Sequence, residues 1–237
     1  HWFSDAGAGA QAQIHDTLAV GIASRGGASA IVNDGRIEVG ADAQAQASAN
    51  PSPGGAGGVD FVYTIAEVRN TQAIGIWAGG GASTIVNDGS VEVTMAANAL
   101  GHADGSAWGL RVDGSTHSHV INTGRIEVGA SALALLGSAE ALAVGIAAGD
   151  GGNRIVNSGH IVAEAVSSGA GQAWGIRSGS GDDQIVNLGS IVATRTLGGT
   201  TSAGVAIEAG AGNDTVVLGD GSVTRGDIDL GAGTDVL

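Results

Sequence analysis

The residues with chemistry to offer are six histidines and a run of carboxylates spaced along the chain. His117 and His119 stand two apart, which puts both on one face of an extended strand. With His102, Asp104 or His160 nearby, such an imidazole pair suits zinc or copper. A solvated turn accommodates the same residues, and that is the preferred assignment. Asp183, Asp214 and Asp235 each close a Gly-x-Gly-x-Asp string and are the only candidates for calcium, which needs several carboxylate oxygens at once. Other copies of the string carry serine or asparagine at that point, so turn capping is preferred and no metal or cofactor is expected. Glu38, Glu92 and Glu127 form an acidic column beside Arg36 and Arg125, a charged surface rather than a cation site. Trp77, Arg111 and Arg177 share an outward column in which guanidinium can stack on indole. Trp77 and Arg111 are therefore candidate binding residues, whereas Trp108 and Trp174 read as core. No constellation argues for catalysis.

These residues are held by a repeat. The string IVNDG at Ile31 to Gly35 returns as IVNDG at Ile85, VINTG at Val120, IVNSG at Ile155 and IVNLG at Ile185. Three apolar columns run in register with it. The first is Ile22, Ile76, Leu110, Ile146, Ile176 and Val205; the second is Ile31, Ile85, Val120, Ile155, Ile185 and Val216; the third is Ile37, Val91, Ile126, Ile161, Ile191 and Val223. Each is flanked by period-two alternation and punctuated by glycine, the pattern of short strands. Three strands per repeat, none able to bury its face alone, predict an all-β, right-handed parallel β-helix of six to seven coils. Six coils at the ~4.8 Å strand spacing make a body about 29 Å tall. Asn33, Asn87, Asn122, Asn157 and Asn187 follow the second column by two residues and are expected to stack as an inward amide ladder of structural purpose. Ser29, Ser83, Ser118, Asn153, Asp183 and Asp214 precede it and mark a tight corner.

Spacing along that corner column is 54, 35, 35, 30, 31 and 21 residues, ending at Asp235. The variation falls between the third strand of one coil and the first of the next. Residues 49–70 read as one large inserted loop, holding both prolines, Pro51 and Pro53, together with Phe61 and Tyr63. Binding chemistry concentrates on loops, so Phe61 and Tyr63 join the candidates, followed by corner loops at Asn98 to Ser106 and Thr194 to Ser202. Alanine-rich arms at Val39 to Ala49 and Ala130 to Ala143 imply a thin interior.

A net charge of −14, with nine arginines and no lysine, opposes binding to nucleic acid or to an anionic membrane. There is no cysteine, hence no disulfide or thiolate site. No apolar run is long enough to span a bilayer. Residues 1–237 read as one solenoid domain, and strand-like alternation from Ala6 together with the interrupted coil at Asp235 suggests a piece of a longer chain.

The IVN-x-G-x-I repeats, with GAGNDTVVLGDGS at Gly210 to Ser222 and GDIDLGAGTDVL at Gly226 to Leu237, resemble the passenger region of Gram-negative autotransporters. Gly179 to Asn187 and Gly210 to Leu218 also resemble the calcium-binding repeats of RTX proteins, although here the string occurs once per coil rather than consecutively. The first resemblance implies a non-enzymatic passenger or adhesin-like module at an extracellular or bacterial outer surface, with a protein or glycan ligand. Two alternatives stand beside it: a subunit that self-associates end to end, and a polysaccharide lyase or hydrolase, a class that shares the fold.

Overall fold

The computed structural model describes residues 8–48, 62–114 and 116–237. Among them are twenty-one strands and no helix. The strands form three parallel sheets, labelled A, B and C in the order each coil visits them, with eight, six and seven strands. The protein is a parallel β-solenoid.

Sheet B is the simplest. Its strands Ala30–Asn33, Thr84–Asn87, His119–Asn122, Arg154–Asn157, Gln184–Asn187 and Thr215–Leu218 stack with identical residues in register, Ile31 on Ile85 on Val120 on Ile155 on Ile185 on Val216. Four residues suffice because the next coil supplies every backbone partner. Sheet C takes the third apolar column and sheet A the first, except in the sixth coil, where Ile207 rather than Val205 stands on Ile176 and Thr224 rather than Val223 stands on Ile191, because Val205 pairs with Trp174 and Val223 with Ser190. The three columns meet in one interior, in which Ile76, Ile85, Leu110, Ile126, Ile146, Ile155, Ile161, Ile176, Ile185, Ile191 and Ile207 are sealed from solvent.

Beyond that triangular core, sheets A and C run on side by side as a thin wedge. Their facing surfaces are alanine, including Ala97, Ala103, Ala130, Ala132, Ala139, Ala141, Ala163 and Ala165. Small side chains let two sheets approach more closely than the usual ~10 Å. Repeat length is therefore absorbed mainly by strand extension. Asn98 to Ser106, read from sequence as a corner loop, is two strands, Ser90–Ala99 and His102–Val112, joined at Leu100 and Gly101. Thr194 to Ser202 is likewise a hairpin, the single antiparallel pair here, with Leu197 opposite Thr200.

The largest correction concerns residues 49–70. Strand Val62–Gly79 starts well inside this supposed loop and pairs in parallel with Ala8–His15, from Ala8 on Val62 to His15 on Arg69. The signal was present: Ala66 and Val68 point into the core while Glu67 and Arg69 alternate outward. Residues 49–61, with Pro51, Pro53 and Phe61, lie outside the described residues. Tyr63 sits on the strand opposite Gly9.

Candidate functional site

Two polar columns run through the solenoid. In the first, each asparagine donates from Nδ2 to Oδ1 of the next: Asn33 to Asn87 at 2.7 Å, Asn87 to Asn122 at 2.7 Å, Asn122 to Asn157 at 2.8 Å and Asn157 to Asn187 at 2.8 Å. Asn187 then donates to Thr224 Oγ1 at 3.2 Å, since Leu218 replaces the next amide. All five are buried, so the column satisfies its own polar groups and offers nothing to a ligand.

The second column is the corner. Here the backbone N–H of each residue donates to the side chain one coil on: Ser118 to Asn153 at 3.2 Å, Asn153 to Asp183 at 2.6 Å, Asp183 to Asp214 at 2.8 Å and Asp214 to Asp235 at 2.9 Å. Ser178 adds a hydroxyl to Asp183 Oδ2 at 2.6 Å, whereas Asp214 Oδ2 is buried without a partner. Burial pushes both the Asp183 and the Asp214 carboxyl above the usual range, against the hydrogen bonds that favour their charged forms. The three calcium candidates thus act as acceptors for a stack of amides. Among the described residues no three metal-ligating side chains converge. His119 lies on a sheet B strand beside Thr84 and Arg154, and His117 lies in the preceding turn, near Gly152.

On sheet C, Glu38, Glu92 and Glu127 are in register. Arg36 bridges Glu38 at 2.9 Å and Glu92 at 2.8 Å, and Arg125 holds Glu127 at 2.7 Å. The hydrogen bond to Glu92 leads the causes that push the Arg36 guanidinium further above its ordinary range. The column is a neutralised surface.

The outer face of sheet A is different. One register row reads Val20, Ile74, Trp108, Val144, Trp174, Val205, and the row three residues on reads Ala23, Trp77, Arg111, Ala147, Arg177, Glu208. Trp108, expected in the core, is half-buried on this outer face, whereas Trp174 is buried as expected, 8 % exposed beneath Arg177 with its Nε1 sealed and unpartnered. The Arg111 guanidinium sits 4.8 Å from the Trp108 ring, and Arg177 sits 4.8 Å from that of Trp174. The reason is a break in alternation. Ala73 and Ala107 point inward and Ile74 and Trp108 outward, but the next two positions both face inward: Gly75 then Ile76, Gly109 then Leu110. A Cβ on Gly75 would lie 2.6 Å from the Gly109 carbonyl oxygen and collide with Val91. Parity counted back from Ile76 or Leu110 across this glycine is therefore wrong by one. The sequence signal was the glycine column itself, at Gly21, Gly75, Gly109, Gly145 and Gly175.

Around Trp77 the packing is dense. Its Nε1 donates to Asp113 Oδ2 at 2.8 Å, Arg111 Nε donates to Asp113 Oδ1 at 2.7 Å, and Arg25 lies 5.0 Å from the ring. Trp77 and Trp108 thus share one outer face with Arg25, Arg111 and Arg177, and Trp174 lies buried beneath Arg177.

Farther out on the same face lies a polar cluster that sequence reasoning did not assemble. It is built on a kink where Asp16 and Asn70, at φ 55° and 54°, occupy the left-handed region. Among the described residues they alone do so without being glycine, and such conformations concentrate at functional sites. Asn70 Nδ2 donates to Asp16 Oδ1 at 2.6 Å, and the Asn70 backbone N–H donates to Asp104 Oδ1. Asp104 Oδ2 meets His102 Nε2 at 2.9 Å, and His102 Nδ1 meets Ser138 Oγ at 2.5 Å. Arg69 donates to Glu67 from Nε at 3.0 Å and holds that carboxyl below its usual range. A shallow cleft of about 230 Å³ adjoins, lined by Asn70, Asp104, Gly105, Ser106, Glu140 and Leu142.

Of the four candidate binding residues, Trp77 and Arg111 are brought together, while Tyr63 enters the same sheet through its pairing with Gly9 and Phe61 lies outside the described residues. Comparison with protein-family models, with curated proteins and with solved structures found no match for this chain.

Proposed function

We propose that this protein is a surface-displayed β-solenoid binding module, resembling an autotransporter passenger, that presents the outer face of sheet A to a protein or glycan ligand. The observation that carries this reading is the gathering of Trp77, Trp108, Arg25, Arg111 and Arg177 on one regular face, with Trp174 buried beneath Arg177 as its support. Tryptophan and arginine are the side chains richest in binding hot spots. On this face Arg111 and Arg177 are paired with Asp113 at 2.7 Å and with Glu208 at 3.3 Å, which fixes their guanidinium planes against the indole rings. A parallel solenoid keeps such groups at fixed intervals of ~4.8 Å per coil, which suits an extended ligand.

The test is an array of neutral and anionic glycans together with extracellular matrix proteins, probed with wild type, Trp77→Ala and Arg111→Ala. Loss of a hot-spot side chain costs about 2 kcal/mol or more, roughly thirtyfold in affinity. Equal retention by both variants, with the β spectrum intact, removes the sheet A face from consideration. Display is tested separately, by fusing the chain to a translocating barrel and measuring access of external protease.

A further inference from the structure

We propose that Ser138 is a nucleophile toward carboxylic esters of small acyl groups, with His102 as its general base and Asp104 as the residue that positions the imidazole. This goes beyond the binding reading and does not rest on it.

The constellation follows from register. Ala103 pairs with Ala139, and Asp104 with Glu140. His102 and Ser138, the residues before these pairs, therefore meet as neighbours in adjacent coils. Because Ala103 and Ala139 are buried, the flanking His102, Asp104, Ser138 and Glu140 project from the opposite face. The Ser138 hydroxyl contacts Nδ1 at 2.5 Å and the Asp104 carboxylate contacts Nε2 at 2.9 Å. A carboxylate accepts only, so it fixes the proton on Nε2 and leaves Nδ1 free to accept from the serine. That division of labour, a nucleophile on one ring nitrogen and an orienting acid on the other, defines a nucleophile–base–acid triad by role rather than by fold. The carboxylate is itself held, because its second oxygen accepts the backbone N–H of Asn70. The left-handed turn at Asn70 is what aims that N–H away from the strand ladder.

Access is open. Ser138 is exposed and lies in the turn before strand Ala139–Ala148. The cleft on the same face is lined by Asp104 and Glu140 but by neither Ser138 nor His102, so it adjoins the triad on the side of the carboxylate.

In the reaction, Ser138 Oγ adds to the ester carbonyl carbon as its proton passes to His102 Nδ1. The adduct collapses with cleavage of the bond to the alkoxy oxygen, which takes the proton from Nδ1 and leaves as the alcohol. Water then adds to the acyl-serine carbonyl, giving its proton to Nδ1. The acid departs as that proton returns to Ser138 Oγ. The charged and titratable groups around His102 are Glu67 and Arg69 from the preceding coil, His15 one coil further, Asp104 on its own strand and Glu140 on the next.

The experiment uses p-nitrophenyl acetate as substrate and a fluorophosphonate as a trapping reagent, with labelled peptides identified by mass spectrometry. Wild type is expected to release p-nitrophenol and to carry one adduct, at Ser138. Ser138→Ala should lose both. His102→Gln should slow turnover by about a hundredfold or more, the usual contribution of a general base. Asp104→Asn should lower kcat with little change in KM, and Asp104→Glu should restore part of the loss, which a purely structural role would not produce. These side chains lie on the outer face, so the variants should keep the wild-type far-ultraviolet spectrum. The proposal is overturned if wild type neither turns over nor labels, if Ser138→Ala labels equally at Ser131 or Ser168, or if His102→Gln reacts at the wild-type rate.

Discussion

At the scale of single residues, the two interior columns solve the same problem with different chemistry. Asn122 donates to Asn157 and accepts from Asn87 inside a sealed space. Leucine at 122 would leave a donor and an acceptor orphaned, each costing about 1–3 kcal/mol. Asn122→Leu should therefore lower the denaturant midpoint well beyond what an exposed substitution does, with the m-value unchanged. The corner column invites the opposite change. Asn153 uses its Nδ2 to bond the Gly149 and Gly151 carbonyls at 2.8 and 2.6 Å while its Oδ1 accepts from the Ser118 amide. Asp214 accepts from the Asp183 amide in the same way, but its second oxygen is buried and unpartnered. Asp214→Asn would keep the acceptor and supply a donor where Gly210 and Gly212 carbonyls stand in the equivalent register. We expect a gain of about 1 kcal/mol at neutral pH, measured as a rise in thermal midpoint.

At the scale of elements, the strand of sheet A is not a uniform ribbon. Its alternation fails once per coil, at the glycine that lets sheet A close on sheet C. Gly109→Ala would place a Cβ 2.5 Å from the Gly145 carbonyl oxygen and against Ile126. Overpacking of this kind costs about 1–3 kcal/mol, and more where backbone must move. The variant should lose stability and weaken the Arg111–Trp108 contact, visible as a change in tryptophan fluorescence. The same glycine explains what could and could not be read in advance. The asparagine positions and the first five members of each column were legible because like residues recur at like strand offsets and stacking enforces that register, whereas Val205 and Val223 miss it because the sixth coil has other spacings. The outward placement of Trp108 was not legible, because period-two counting assumes an unbroken pleat. Strand Val62–Gly79 was hidden by the prolines and glycines before it and by two breaks in its own alternation, at Asn70 and at Gly75. The cluster joins His102 and Asp104, two apart on one strand, to Ser138, which lies 36 residues beyond His102 and meets it only through the register of adjacent coils.

At the scale of the molecule, the corner column changes character along the axis, from serine at Ser83 and Ser118 through Asn153 to Asp183 and Asp214. Each coil contacts mainly its neighbours, so stability is close to a sum of local terms, and pH should act on one end rather than on the whole. Asp183 and Asp214 have carboxyls raised by burial. A raised group contributes stability that is complete below its unfolded pKa, about 4 for aspartate, and is lost as pH rises through the folded value. Glu67 and Asp150 are shifted the other way, by hydrogen bonds from Arg69 and Ser180. Their contribution is complete above the ordinary carboxylate value and is lost only as pH falls through the depressed one. The two windows lie on opposite sides of the ordinary carboxylate value, so lowering the pH from neutrality toward about 4 carries the buried aspartates into their stabilising neutral form while the paired carboxylates stay charged. Hydrogen exchange, corrected for the intrinsic rate at each pH, should show Gln184–Asn187 and Thr215–Leu218 gaining protection over that interval while Thr84–Asn87 stays level. In Asp183→Asn/Asp214→Asn the gain should vanish. If protection near Asp183 instead declines over that interval, the buried carboxylates stabilise the coils in their charged form and burial is not the dominant force on them.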